Sequence, residues 1–125
     1  MDSLILCKFL RGAFTEPMPE WGALLSAVTG WDVTADELGR TARRIVLAKR
    51  LFNLREGWTR ADDRLPERFL TEPLEVASGR TAALTAERLD KMIEAYYGLR
   101  GLDAEGRPGA ETLSELSMDE FVQSV

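Results

Sequence analysis

The chain holds one cysteine, Cys7, and no histidine. A single thiol excludes an internal disulfide and a metal centre built from this chain's own thiolates. The absence of histidine removes the commonest neutral-pH proton shuttle and metal ligand. Asp103-Ala104-Glu105-Gly106 has the composition of a calcium loop. Its glycine falls at the fourth position instead of the sixth, however, and Pro108 interrupts it, so the stretch reads as a helix–turn–helix link. Tyr96-Tyr97 could serve as a stacking platform, yet both residues keep the helical spacing of core positions. Arg40, Arg43, Arg44, Lys49 and Arg50 form a basic row that reads as a solvated face, with a phosphate-facing or partner-facing role as the alternative.

Positioning these residues falls to a mostly helical chain. Residues 1–16 are an apolar lead-in containing Leu4, Ile5, Leu6, Phe9, Leu10 and Phe14, either a buried strand or a first helix, and the simplest expectation is core packing. Pro19 suits a helix first turn, Trp21, Leu24, Leu25 and Val28 follow at helical spacing, and Gly30 ends the run. Thr34 and Glu37 have capping-box spacing and open a helix expected to reach about Glu56, with Gly57 as its stop. Two apolar rows, Leu38/Ala42/Ile45/Phe52 and Leu47/Leu51/Leu54, mark this helix as the spine of the fold. Residues 58–83 read as a long loop, with one helical turn after Pro66, an extended path before Pro73 and a tip at Ser78-Gly79-Arg80. Thr85 caps a helix carrying Leu89, Met92, Ile93, Tyr96 and Tyr97, which ends at Gly98 or Gly101. A short helix with Leu113 and Leu116 follows, and Ser117 with Glu120 marks a last short one over Met118–Val122. The expectation is a single all-α domain over 1–125, an irregular bundle of four to six helices.

The 125 residues carry 16 Lys+Arg against 21 Asp+Glu, a formal charge of −5. That composition is foldable, and the length suits one domain. Residues 1–60 are net +2 and residues 61–125 net −7. Nucleic-acid binders concentrate positive charge on a face, which only Arg40–Arg50 could do here, so nucleic acid is a poor partner for this chain. No stretch approaches the ~20 apolar residues of a bilayer span, and the first residues lack the basic run of a secretory signal. The expected setting is cytoplasmic, with no membrane partner.

Read whole, the sequence resembles the C-terminal region of the aldehyde ferredoxin oxidoreductase family, tungsten- or molybdenum-pterin enzymes. The resemblance is carried by Leu25-Ser26-Ala27-Val28-Thr29-Gly30-Trp31, by Leu51-Phe52-Asn53-Leu54-Arg55-Glu56-Gly57, by Asp62 through Phe69, and by Leu84 through Gly101. Asp2-Ser3-Leu4-Ile5-Leu6-Cys7 is similar to the family's Asp-x-x-Gly-Leu-Cys motif. The resemblance implies that Asp2 hydrogen-bonds the pterin and that Cys7 is the last of four thiolate ligands to a [4Fe–4S] cluster. Ile5 stands where the family usually has glycine. That departure implies either a less close backbone approach to the cofactor or an altered site.

A protein-held cubane typically needs four thiolates, and this chain offers one. The expectation is therefore no cofactor in the isolated chain, and Cys7 as a plain thiol unless an upstream part or a separate subunit supplies the other three ligands. In the parent enzyme the domain would pack behind the cofactor and wall part of the substrate channel. Arg55-Glu56-Gly57-Trp58 and the charged loop after it are the candidates near that channel, with an Arg–Glu ion pair closing a helix end as the simpler reading. No residue is expected to be catalytic. The function implied is that of a C-terminal domain or fragment of an enzyme oxidising aldehydes to carboxylic acids, with electrons passing through the cluster to ferredoxin, and inactive alone. The alternative is a non-enzymatic helical interaction module derived from the family, a stable monomer or homodimer without metal.

Overall fold

The computed structural model describes residues 1–79 and 81–124. Arg80 of the expected 78–80 tip lies outside the described residues, as does Val125. Among the described residues the fold is all-α apart from one pair of two-residue strands. The chain divides into two compact units, residues 1–46 and 47–125.

In the first unit, α1 spans Pro17–Thr29, with Pro17 in its first turn two residues earlier than the Pro19 start expected from sequence. Pro17 loses nothing there, because the first-turn N–H groups have no intrahelical partner. Gly30 ends α1 in the left-handed conformation at φ 75°, with its N–H donating to the Ser26 carbonyl. The link 30–34 folds back on α1: Ser26 Oγ accepts the Val33 N–H at 3.1 Å. Gly22 permits this return, since a Cβ there would lie 2.9 Å from the Val33 carbonyl oxygen. The Phe14 and Trp21 rings meet edge-on, 5.9 Å between centroids.

α2 spans Ala35–Arg55. Thr34 Oγ1 accepts the Glu37 N–H at 3.2 Å, as the capping-box spacing requires. Within the first unit, Leu38 is the buried apolar side chain of this helix. In the second unit, Leu47 and Leu51 of α2 form the interior with Leu113, Leu116 and Met118, and Leu102 packs against them. Phe52, assigned to an apolar row by its spacing, is 55% exposed.

The segment expected as a long loop has structure of its own. A capped turn at Arg60–Asp62 is followed by α3 (Arg68–Thr71), and β1 (Leu74–Glu75) pairs antiparallel with β2 (Thr81–Ala82). Local hydrogen bonds take the place of the apolar pattern that would have announced these elements. α4 spans Ala86–Arg100; Thr85 Oγ1 accepts the Arg88 N–H, and Gly101 ends the helix at φ 66°. Tyr97 is buried, whereas its neighbour Tyr96 is 44% exposed, so only one of the pair is core. The turn 102–108 leads to α5 (Ala110–Glu115) and a last short helical turn at Asp119–Ser124.

The N-terminal lead-in is not a strand, and it is buried only in part: Leu4, Leu6 and Phe14 are half-buried. It forms two short 3-10 turns, Asp2–Leu4 and Lys8–Gly12, with Ile5 94% and Phe9 91% exposed. Core packing is thus overturned for these two side chains.

Candidate functional site

The densest set of polar contacts gathers around Asp63, in the second unit. Three separate stretches meet there: α2 through Arg50, α4 through Tyr97, and the turn after Asp103. Arg50 Nη1 lies 3.0 Å from Asp63 Oδ1 and 2.9 Å from Oδ2. Its Nε donates to the Gly106 carbonyl at 2.8 Å, and Nη2 donates to the Tyr97 hydroxyl at 3.2 Å. Tyr97 donates its own proton to Asp63 Oδ2, and the Trp58 indole N–H donates to Asp63 Oδ1 at 2.9 Å. Arg50 and Arg60 each sit 5.5 Å from the Tyr97 ring centroid, a cation–π distance.

These contacts fix the protonation states. Burial pushes the Asp63 carboxyl up, but hydrogen bonds from Tyr97, Trp58 and Arg50, with the Arg50 charge, together hold it below the ordinary carboxylate range. Tyr97 moves the other way: burial raises its hydroxyl, and the hydrogen bond to Asp63 raises it further. The pair therefore stays phenol and carboxylate, a fixed donor and a fixed acceptor. Neighbouring Asp62 is also held low, by the side-chain and backbone hydrogen bonds of Thr59. Thr59 and Asp62 cap the Arg60–Asp62 turn reciprocally.

The Asp103 turn shows why it is not a cation loop. Asp103 Oδ1 is engaged by the N–H groups of Glu105 and Arg107, at 3.0 and 2.8 Å. The Gly106 and Glu105 carbonyls face the Arg50 guanidinium. A side-chain cation stands where a metal would be sought. Gly106 is required at φ 76°, since a Cβ would collide with Arg50 Nη2 and sit 2.7 Å from the Tyr97 hydroxyl. Replacing Gly106 by alanine is expected to cost about 2–3 kcal/mol, from left-handed strain plus displacement of the guanidinium. Urea unfolding of the variant measures it; a loss under about 0.5 kcal/mol would contradict the packing.

The expectation of a solvated Arg50 within the basic row is corrected: its side chain is only 12% exposed. The overlooked signal is positional. Leu47, Arg50, Leu51 and Leu54 stand at i, i+3, i+4 and i+7, so Arg50 lies on the buried face. Arg55 pairs with Glu56 at 3.1 Å, both exposed, which is the ion pair at a helix end.

The N-terminal pair belongs to the first unit. Asp2 lies in the first 3-10 turn, and Cys7 is an exposed free thiol with extended backbone geometry. Among the described residues, no three His, Cys, Asp or Glu side chains converge as a metal-binding group. One thiol does not by itself fit a four-thiolate cluster. Between the two, Ile5 adopts φ 56°, ψ 27°, the left-handed region a β-branched residue rarely enters. A glycine there would be unstrained. Since the Ile5 side chain is 94% exposed and packs on little, Ile5→Gly is expected to raise stability by about 0.5–1 kcal/mol. Thermal unfolding would show it, and a lower midpoint would mean that Ile5 makes contacts its exposure does not reveal.

Comparison with known proteins gives one consistent answer. The family described as "Aldehyde ferredoxin oxidoreductase, domains 2 & 3" matches residues 1–118. The chain is similar to the tungsten-containing aldehyde ferredoxin oxidoreductase of Pyrococcus furiosus, 38% identical over 122 residues. It is 36% identical over 123 residues to the enzyme of the same name from Pyrococcus horikoshii. These alignments cover 97% and 98% of this chain but only 19% of each relative, so the chain spans about a fifth of their length. Among solved structures, a chain of the "Active site complex BamBC of Benzoyl Coenzyme A reductase in complex with 1,5 Dienoyl-CoA" shares the fold. Its TM-score is 0.67 at 23% identity, over 85% of this chain and 14% of that one. No helix among the described residues is long and apolar enough to cross a membrane.

Proposed function

The chain belongs to the aldehyde ferredoxin oxidoreductase family, and from that premise we propose that it serves as the C-terminal domain of an aldehyde-oxidising enzyme. The match over residues 1–118 carries this reading. The parent reaction converts an aldehyde and water to a carboxylic acid, releasing two electrons and two protons. A tungsten- or molybdenum-pterin group and a [4Fe–4S] cluster would supply that redox chemistry, with ferredoxin as acceptor. This chain's part is structural. Cys7 would provide one thiolate and Asp2 a hydrogen-bonding carboxylate. The three other thiolates would come from another region or subunit. The segment Arg55–Arg64, anchored through Asp63, would wall the substrate channel. A thiolate ligand implies a reducing compartment, so the setting in this reading is cytoplasmic.

Exposure of Ile5 and Phe9 beside Cys7 favours a covered N-terminal face, which also suits the second reading, a metal-free helical interaction module. Anaerobic co-production with a neighbouring chain bearing three closely spaced cysteines separates the two. The enzyme reading requires a brown complex with about four irons per pair, and loss of iron in Cys7→Ser. A colourless, iron-free protein that ignores that chain would sink it.

A further inference from the structure

Arg50 does more than pair with one carboxylate. Its guanidinium meets the Gly106 carbonyl at 2.8 Å, Asp63 Oδ1 at 3.0 Å, the Tyr97 hydroxyl at 3.2 Å and the Glu105 carbonyl at 3.5 Å. Those acceptors lie 13 to 56 residues away along the chain. They belong to the segment after Trp58, to α4 and to the turn after Asp103, which have no other common partner among these bonds. The Arg60–Asp62 turn shapes itself through the reciprocal Thr59–Asp62 cap, but that cap is local and ties the turn to nothing else. Asp63, held by Arg50 and Tyr97 and joined to Trp58, provides one tie, and Arg60 a weaker second one through Asp90 at 3.5 Å and the Tyr97 ring.

We infer that Arg50 is a positioning residue, acting through Asp63 to fix segment 58–64, and that the oxygen acceptors around it form a guanidinium-selective site which the protein fills with its own side chain. The selectivity follows from shape. A guanidinium offers five N–H donors in a rigid planar fork, whereas an ammonium is a compact point charge with three. Acceptors spread around both edges of the Arg50 plane match the fork. Tyr97 adds an aromatic ring 5.5 Å away, favourable to a flat cation. This inference holds whether or not the segment borders a substrate channel, because it concerns only groups of this chain.

The test uses Arg50→Ala in the full chain. Amide exchange in residues 58–64 and 103–107 should accelerate about tenfold or more beyond the amides of α5, whose own acceleration reports the global loss of stability. The Trp58 indole N–H resonance should shift, because its partner Asp63 is released. Methylguanidinium at ~20 mM, a level at which denaturation is slight, should restore both signals. Equal methylammonium should not, and Arg50→Lys should behave like Arg50→Ala. Uniform acceleration through the core, failure of methylguanidinium to rescue, or equal rescue by methylammonium would each overturn the inference. Should Arg50→Ala fail to fold, Tyr97→Phe keeps the ion pair and removes one acceptor and one donor. It must still speed exchange in 58–64 ahead of α5, and an equal effect on both would be fatal.

Discussion

Replacing Asp63 by alanine is expected to destabilise the protein by about 3 kcal/mol. The carboxylate is the common partner of Arg50, Tyr97 and Trp58. Removing it leaves a guanidinium at 12% exposure without its counter-charge, and two donors without an acceptor. Breaking a fully buried pair costs about 3–5 kcal/mol. The lower end applies because 21% of the Asp63 side chain still touches water. Asp63→Asn keeps one acceptor oxygen and should lose less. Acid titrates the same group. Its folded pKa lies below the unfolded value of about 3.9, so its contribution is present above that pH and is lost as pH falls through the folded pKa. Asp62 adds a loss of the same sign. At the alkaline end Tyr97 is raised, so stability declines as pH climbs from about 10 through its folded pKa. Urea unfolding across pH checks both limbs: the acid decline should be shallower in Asp63→Asn, and the alkaline decline shallower in Tyr97→Phe. Unchanged limbs would mean that the network does not govern stability.

Leu116→Ala should cost about 2–5 kcal/mol. Leu116 is 2% exposed and sits in the cluster of Leu47, Leu51, Leu113 and Met118. Truncation removes three carbons from the second unit's interior and leaves a cavity its neighbours only partly close. Against a total stability typically of 5–15 kcal/mol, the loss is enough to bring unfolding near working temperature. Leu99→Ala is the control: that side chain is 86% exposed, and its loss should stay within about 0.5 kcal/mol. Calorimetry of both variants decides the matter, and equal shifts would deny that the interior lies where the structure places it.

Helix limits were legible because their causes are local. Thr34 with Glu37, Thr85 with Arg88, and the glycines at 30 and 101 each act within four residues. The site was not legible in the same way. Arg50 reaches Asp63, Tyr97 and Gly106 across 13, 47 and 56 residues, and no local pattern encodes such pairing. The helical phase places Arg50 on the buried face, whereas its charge points to water. The apolar lead-in misled for the converse reason: Ile5 and Phe9 have core composition, and composition does not say which surface covers them. Family resemblance offers what periodicity could not, namely an expected role for Asp2 and Cys7.

Among the described residues only seven apolar side chains are buried. Unfolding therefore hydrates little new hydrocarbon. An ordinary chain of this length gains about 1.5–1.9 kcal/mol/K in heat capacity on unfolding, and this one should gain less. Its free energy then varies gently with temperature, trading a high peak for breadth, and cold unfolding retreats further below freezing.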